Sequence, residues 1–161
     1  MQNVNIRKGD AGDWASLAEI FHIAVREGAV AYTEAQRAAW SPAVKALPDW
    51  SLRMTRQNVW VAEADGRAAG FMTLEMNGYL DCAYILPHWQ GQGVFRKLYE
   101  ALEGQACAEG ISRIYTHASL HAQPAFGAMG FEVTRPETVN MGAGPDGHDV
   151  WLPRFAMEKH L

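Results

Sequence analysis

The sequence predicts a mixed α/β domain, and three observations carry that reading. Apolar residues recur at helical spacing before residue 57; two extended runs then flank Asp65-Gly66, with a third after Asn77-Gly78. From residue 94 onward helical and extended patterns alternate.

Taken in order, Asn3 to Lys8 alternates as a first strand, and Asp10 or Asp13 can accept backbone N–H bonds at the start of a helix. Trp14, Leu17, Ala18, Phe21, Ala24 and Val25 give that helix one apolar face, up to Gly28. Thr33 with Gln36 three residues later forms a capping-box signature for a second helix through about Trp40, closed by Pro42. A third short helix is expected over Asp49 to Gln57. Val59–Ala64, Ala68–Leu74 and Tyr79–Leu86 then read as three successive antiparallel strands, because Asp-Gly and Asn-Gly supply the positive φ angles of tight hairpins. Val94, Leu98, Leu102 and Ala106 share one helical face, and Gly110 provides a stop. Ile111–Ala118 returns as a strand and Ala122–Met129 as a short helix. One or two strands follow from Phe131 around the loose M-G-A-G-P-D-G-H segment.

A chain of 161 residues suffices for one domain that buries about 70% of the surface its unfolded form exposes, without metal or disulfide staples. Hydrophobic residues make up 48% and charged residues 20%, as in a soluble globular protein. A formal net charge of −4 and the lack of any dense Lys/Arg run argue against nucleic-acid and membrane-surface binding. No signal-peptide pattern opens the chain and no apolar run approaches a membrane span, so a cytoplasmic location is expected. Cys82 and Cys107, with no paired spacing, are expected to be reduced and buried.

Chemistry concentrates at Leu86–Leu98, L-P-H-W-Q-G-Q-G-V-F-R-K-L, where an extended run ends at Pro87 and Gly91 and Gly93 open a helix. Such a turn can leave several backbone N–H groups aimed outward at the positive end of a helix, a setting that suits a phosphate-bearing ligand. On the residues alone the segment could be a dinucleotide fingerprint, a P-loop or a mere turn. It lacks the Gly-Lys-Ser/Thr ending of a P-loop, and its glycines do not follow G-x-G-x-x-G.

With Ala122–Phe131, A-Q-P-A-F-G-A-M-G-F, one strand downstream, nearly the whole chain resembles the GNAT superfamily of N-acetyltransferases. That superfamily carries Gln/Arg-x-x-Gly-x-Gly/Ala at a strand-to-helix turn, here Gln90 and Gly93, and a later segment ending in Gly-Phe, here Gly130-Phe131. The chain is most similar to small bacterial members with Y-[ST]-x-x-Q-x-x-A-W, here Tyr32, Thr33, Gln36, Ala39 and Trp40, and with an A-S-[IL]-x-A-x-P-x-F stretch, here Ala118 to Phe126. The resemblance implies a mostly antiparallel sheet with one splayed parallel pair and helices on both faces. It also implies acetyl-CoA as co-substrate, no metal, and acetyl transfer to a small-molecule or peptide amine. Ile85 and Leu86 would meet the pantetheine or acetyl group, and Gln90, Gly91, Gln92, Gly93, Val94, Phe95 and Arg96 would wrap the pyrophosphate. Ser119 and Phe126 would complete the cofactor site.

Two positions depart from the family pattern. Phe95 replaces the second small residue of the loop, which implies tighter or shifted cofactor packing. Phe126 stands where much of the superfamily has a Tyr that protonates the departing thiolate. A CoA thiolate is a good leaving group, so the harder step is removing a proton from an ammonium of pKa about 10. His117, Asp81 and Glu75 are the candidate bases, with His117 best matched to neutral pH.

His22, Arg26, Tyr32 and Trp40 are candidate acceptor-binding residues, although His22 is more simply a core or surface histidine, a solvated helix end accounts equally well for Arg26, which could pair with an acidic acceptor, and packing accounts equally well for Tyr32, Trp40 and Trp50. His117 and His121 are four apart but fall at a strand end and in a loop, so helical metal-binding geometry is not given. The resulting expectation is a GNAT acetyltransferase acting by direct attack in a ternary complex, since no cysteine lies at the loop. The alternative is an acyl-CoA-binding sensor without turnover. The negative net charge favours a cationic amine acceptor. Val150, Trp151, Leu152 and Phe155 leave room for a dimer edge, so either a monomer or a homodimer is compatible.

Overall fold

The computed structural model of the chain describes residues 3–161. Its strands are β1 (Val4–Lys8), β2 (Asn58–Ala64), β3 (Arg67–Leu74), β4 (Tyr79–Ile85), β5 (Arg113–Ala118), β6 (Glu132–Ala143) and β7 (Asp149–His160). Its helices are α1 (Trp14–Ile23), α2 (Glu34–Trp40), α3 (Leu47–Thr55), α4 (Val94–Ala108) and α5 (Ala122–Ala128). The seven strands form one sheet in the order β1-β2-β3-β4-β5-β7-β6, antiparallel throughout except for the parallel pair β4–β5.

Each element follows from local chemistry. Asp10 and Asp13 form a reciprocal cap ahead of α1, and Thr33 and Gln36 form the expected capping box of α2. The Asp65-Gly66 turn takes left-handed angles at both residues (φ 53° and 75°), which sets the β2–β3 hairpin. α3 starts at Leu47, two residues ahead of the expected Asp49, because Pro48 fits a first helical turn. Alternate residues of β3 serve opposite cores. Met72 and Leu74 pack with Leu98 and Leu102 of α4, while Phe71 packs with Phe21 of α1 and Trp50 and Met54 of α3. The strand reads as a continuous apolar run because both of its faces are covered. Trp50 is buried with its indole N–H satisfied by the Trp14 carbonyl at 2.8 Å, so the large ring costs no orphaned donor.

The structure corrects three expectations. β7 lies between β5 and β6, so Val150, Trp151, Leu152 and Phe155 are not on the free edge; Leu152 is buried beneath Tyr32, and β6 is the outer strand. Cys82 is buried, but Cys107 is exposed, because it falls outside the apolar stripe that α4 turns to the sheet. α1 does not run evenly to Gly28: Ala24–Gly28 form a π-helical turn, a widening that periodicity does not register. No helix among the described residues is long and apolar enough to cross a membrane.

Candidate active site

The site begins where β4 and β5 part. They pair only at Tyr79↔Tyr115 and Leu80↔Thr116, after which the sheet opens between them. The narrow end is fixed at Gly78 (φ 93°), whose carbonyl accepts from Tyr115 N–H at 3.0 Å and where a Cβ would collide with the Arg113 carbonyl. Opposite β3, the register steps from Leu74↔Leu80 to Thr73↔Cys82, leaving Asp81 as an extra residue. Beyond that bulge Leu86 N–H bonds to Ala69 O at 2.9 Å, so alternation aims the main-chain groups of Ala83 and Ile85 into the opening.

A cleft of about 410 Å³ follows the opening, lined by Ala83, Tyr84 and Ile85 of β4, the π-helical turn, the 89–96 segment and the first face of α5. Gly91 (φ 73°) and Gly93 (φ 81°) adopt left-handed angles ahead of α4, and a Cβ at either would meet nothing within 4 Å. The first α4 bond runs from Lys97 N to Gly93 O at 3.1 Å. The N–H groups of Gly91 to Arg96 therefore find no main-chain acceptor among the described residues, and they sit at the positive end of a 15-residue helix. Gln90 braces the turn by donating from Nε2 to Ile85 O at 3.2 Å. Gly28 leaves room for that side chain, since a Cβ there would lie 3.3 Å from Gln90 Nε2.

Of the expected cofactor residues, Ile85, Gln90, Gly91, Gly93, Val94, Phe95, Arg96 and Ser119 line this cleft, whereas Leu86, Gln92 and Phe126 do not. Gln92 turns back onto the His88 carbonyl at 2.7 Å. Phe126 is buried and stacks with Phe95 and Phe131, ring centroids 5.0 Å apart in both pairs. Phe95 thus lines the cleft with its ring against the buried Phe126.

A second cavity of about 290 Å³ opens on the other side of Trp40, Tyr84 and Ser119, residues shared by both linings. Asp81 and His117 line it; Glu75 does not, because it lies past the end of β3 in the turn at the narrow end. Tyr32 and Trp40 line it as well, but His22 and Arg26 do not. His22 Nδ1 lies 2.7 Å from Ser41 Oγ, and Arg26 donates to the Ser41 carbonyl at 3.1 Å, so both hold the chain after α2. Tyr32 donates to Pro153 O at 2.7 Å and accepts from Leu120 N–H at 2.9 Å, which ties the loop before α2 to the far side of the opening. His121 strengthens that tie by accepting the Ala31 N–H at Nε2, 2.9 Å away.

The two remaining base candidates differ in surroundings. Asp81 receives Arg53 Nε and Nη2 at 2.7 and 2.9 Å and Gln57 Nε2 at 2.8 Å. Burial raises its pKa, but the Arg53 and Gln57 contacts outweigh this and hold the carboxyl below its ordinary value. His117 Nδ1 lies 2.9 Å from Tyr79 Oη, and Nε2 lies 3.7 Å from Glu137 Oε2. Burial and the charge of Arg154 push its pKa down, against the pull of Glu137. Burial and the Asp81 charge push the Tyr79 phenol up to about 12, so it stays protonated. Lys45, Arg53, Tyr79, Tyr84, Met141 and Arg154 complete this cavity without having been singled out by spacing or motif. They come from five separated stretches of chain, and only the folded sheet brings them together.

Residues 29–144 match the model of the acetyltransferase (GNAT) domain family. A comparison with curated proteins gives no match. Among solved structures, the chain is similar over its full length to a GCN5-related N-acetyltransferase from Rhodopseudomonas palustris described as "Aminotransferase, Class-II", at 28% identity and TM-score 0.88 over 98% of that chain. It shares the fold of yncA from Salmonella typhimurium, solved with acetyl-CoA (22% identity, TM-score 0.71, 99% and 94% of the two chains). It also shares the fold of a phosphinothricin acetyltransferase from Sinorhizobium meliloti in complex with acetyl-CoA (20% identity, TM-score 0.75, 98% and 88%). With a family match over well more than half its length, the chain belongs to the GNAT family of acetyltransferases.

Proposed function

We propose that the protein, acting as one catalytic domain over residues 1–161, transfers the acetyl group of acetyl-CoA to a primary amine by direct attack while both substrates are bound. The observation that carries this reading is the opening between β4 and β5, with its mouth formed by six consecutive backbone N–H groups that lack a main-chain acceptor. The residues fit the cofactor: glycine backbone can approach a diphosphate closely, the helix end favours anions, and no metal is needed to hold the charge. Bound there, acetyl-CoA supplies an activated thioester whose thiolate leaves readily without an acid in the position of Phe126.

The chain's own residues do the rest. Ala83 and Ile85 offer main-chain groups along the opening, which orients the ligand and presents N–H donors to a carbonyl. The amine enters through the second cavity and meets the cleft at Ser119, Trp40 and Tyr84. His117 is the base: in the tautomer whose Nδ1–H faces Tyr79 Oη, Nε2 is left to take the ammonium proton, directly or through water, and Glu137 steadies the imidazolium. Asp81, held in its ion pair with Arg53, is a poor proton acceptor and serves as cavity wall.

Phe126, which has no proton to give, and Phe95 favour a second reading, a sensor that binds acyl-CoA without turnover. Thermal-shift titration with acetyl-CoA, followed by a thiol-release assay over an amine panel, separates the two. We expect stabilisation and amine-dependent thiol release. Stabilisation with no release from any amine would establish the sensor instead, and no stabilisation would defeat both readings.

A further inference from the structure

The cavity on the acceptor side has a charge opposite to that of the chain. Three cations, Lys45, Arg53 and Arg154, line it against one carboxylate, Asp81, although the protein as a whole carries a formal charge of −4. Two of the cations are already paired: Arg53 with Asp81, and Arg154 with Glu137 at 3.0 Å. Lys45 has no carboxylate within 4.0 Å among the described residues; its ammonium lies 4.9 Å from the centre of the Phe21 ring. Partial burial and the neighbouring Arg53 charge both push its pKa down. A half-buried cation beside another cation is in a costly state that an arriving anion relieves, whereas a simple cationic amine would add a fourth positive charge.

Resting on the acetyltransferase reading, we infer that the acceptor amine also carries an anionic group, a carboxylate or its equivalent, and that Lys45 is the specificity-determining residue that holds it. Beside the polar Tyr79, His117 and Ser119, the lining residues Phe21, Tyr32, Trp40, Tyr84, Met141 and Leu152 offer an apolar and aromatic surface for the rest of a small molecule. The acceptor class is then an amino acid with an apolar side chain. This reverses the preference for cationic acceptors that the net charge of the whole chain suggests.

The test uses L-leucine and L-phenylalanine, each beside its uncharged amide and its decarboxylated amine, with thiol release as the readout. The wild-type protein is expected to turn over the acids in preference to the decarboxylated amines. Lys45→Gln should lower the acid-to-amide ratio of kcat/KM by about 10- to 100-fold, the loss of one hydrogen bond between charged groups. Lys45→Arg should keep most of that ratio. Comparing variants cancels the different basicities of the amines, and an unchanged thermal shift with acetyl-CoA shows that each variant is folded. An unchanged ratio in Lys45→Gln, or wild-type turnover confined to amides and simple amines, would overturn the inference while leaving acetyl transfer standing. Turnover of no amine at all would defeat the transferase reading and this inference together.

Discussion

At the scale of single residues, the division of labour between His117 and Asp81 depends on what surrounds each group. A carboxylate with three donors within 2.9 Å has no incentive to take a proton, whereas an imidazole whose pKa is lowered stays neutral at pH 7 and ready to accept one. In the proposed role of His117, activity is full at neutral pH and is lost as pH falls through a value below the ordinary histidine pKa of about 6.5. The kcat of the wild-type protein at saturating amine should therefore show an acidic limb below that value. His117→Gln should remove the limb and lower kcat by about 10²- to 10⁴-fold. A stopped-flow or thiol-release pH profile that keeps its limb in the variant would assign the base elsewhere. In the sequence the intrinsic pKa of histidine favours His117 over Asp81 and Glu75, but the surroundings that separate them are not written there. The ranking depends on Arg53, Gln57, Tyr79 and Arg154, partners that lie 24 to 38 residues away along the chain, and only the fold makes them neighbours.

At the scale of elements, local signals were legible and long-range irregularities were not. The Asp65-Gly66 hairpin, the Thr33–Gln36 cap and the apolar stripe of α4 each report short-range physics, and each lies where its residues indicate. The bulge at Asp81 and the π-helical turn at Ala24–Gly28 leave no such mark, because each adds one residue to a pattern that its neighbours continue. The π-helical turn lines the cleft, and Asp81 of the bulge lines the smaller cavity beside it. The bulge turns Ala83 and Ile85 toward the opening, and the π-helical turn brings Gly28 against Gln90. Gly93 tests the loop directly. An alanine there meets no protein atom but strains a left-handed backbone by about 1–2 kcal/mol. We expect Gly93→Ala to keep its far-UV spectrum while losing about 10- to 100-fold in acetyl-CoA affinity by calorimetry, as one or more amide donors are re-aimed. An affinity equal to that of the wild-type protein would show that the turn does not bear on the phosphates.

At the scale of the whole molecule, the sheet places two chemistries side by side. Helices close over both faces, and beyond Leu80 and Thr116 a gap opens the sheet between β4 and β5. On one side of that gap the cleft presents neutral amides at a helix end; on the other, the smaller cavity presents cations and a histidine, with Trp40, Tyr84 and Ser119 between them. The stretch proposed to hold the cofactor is readable in the sequence, since Gln90 to Arg96 are contiguous and a turn's chemistry is local. The acceptor side was not, since Lys45, Arg53, Tyr84 and Arg154 converge only through the pairing of β4, β5 and β7 and the packing of α3. Whether acetyl-CoA lies in the opening between β4 and β5 is read most directly from the ¹H–¹⁵N spectrum of the protein during titration with it. The largest shifts are expected at the amides of Gly91 to Arg96 and of Ala83 and Ile85, with β1 and the outer strand β6 unmoved. If the protein binds acetyl-CoA while those amides keep their positions and others shift, the opening between β4 and β5 is not where the cofactor lies.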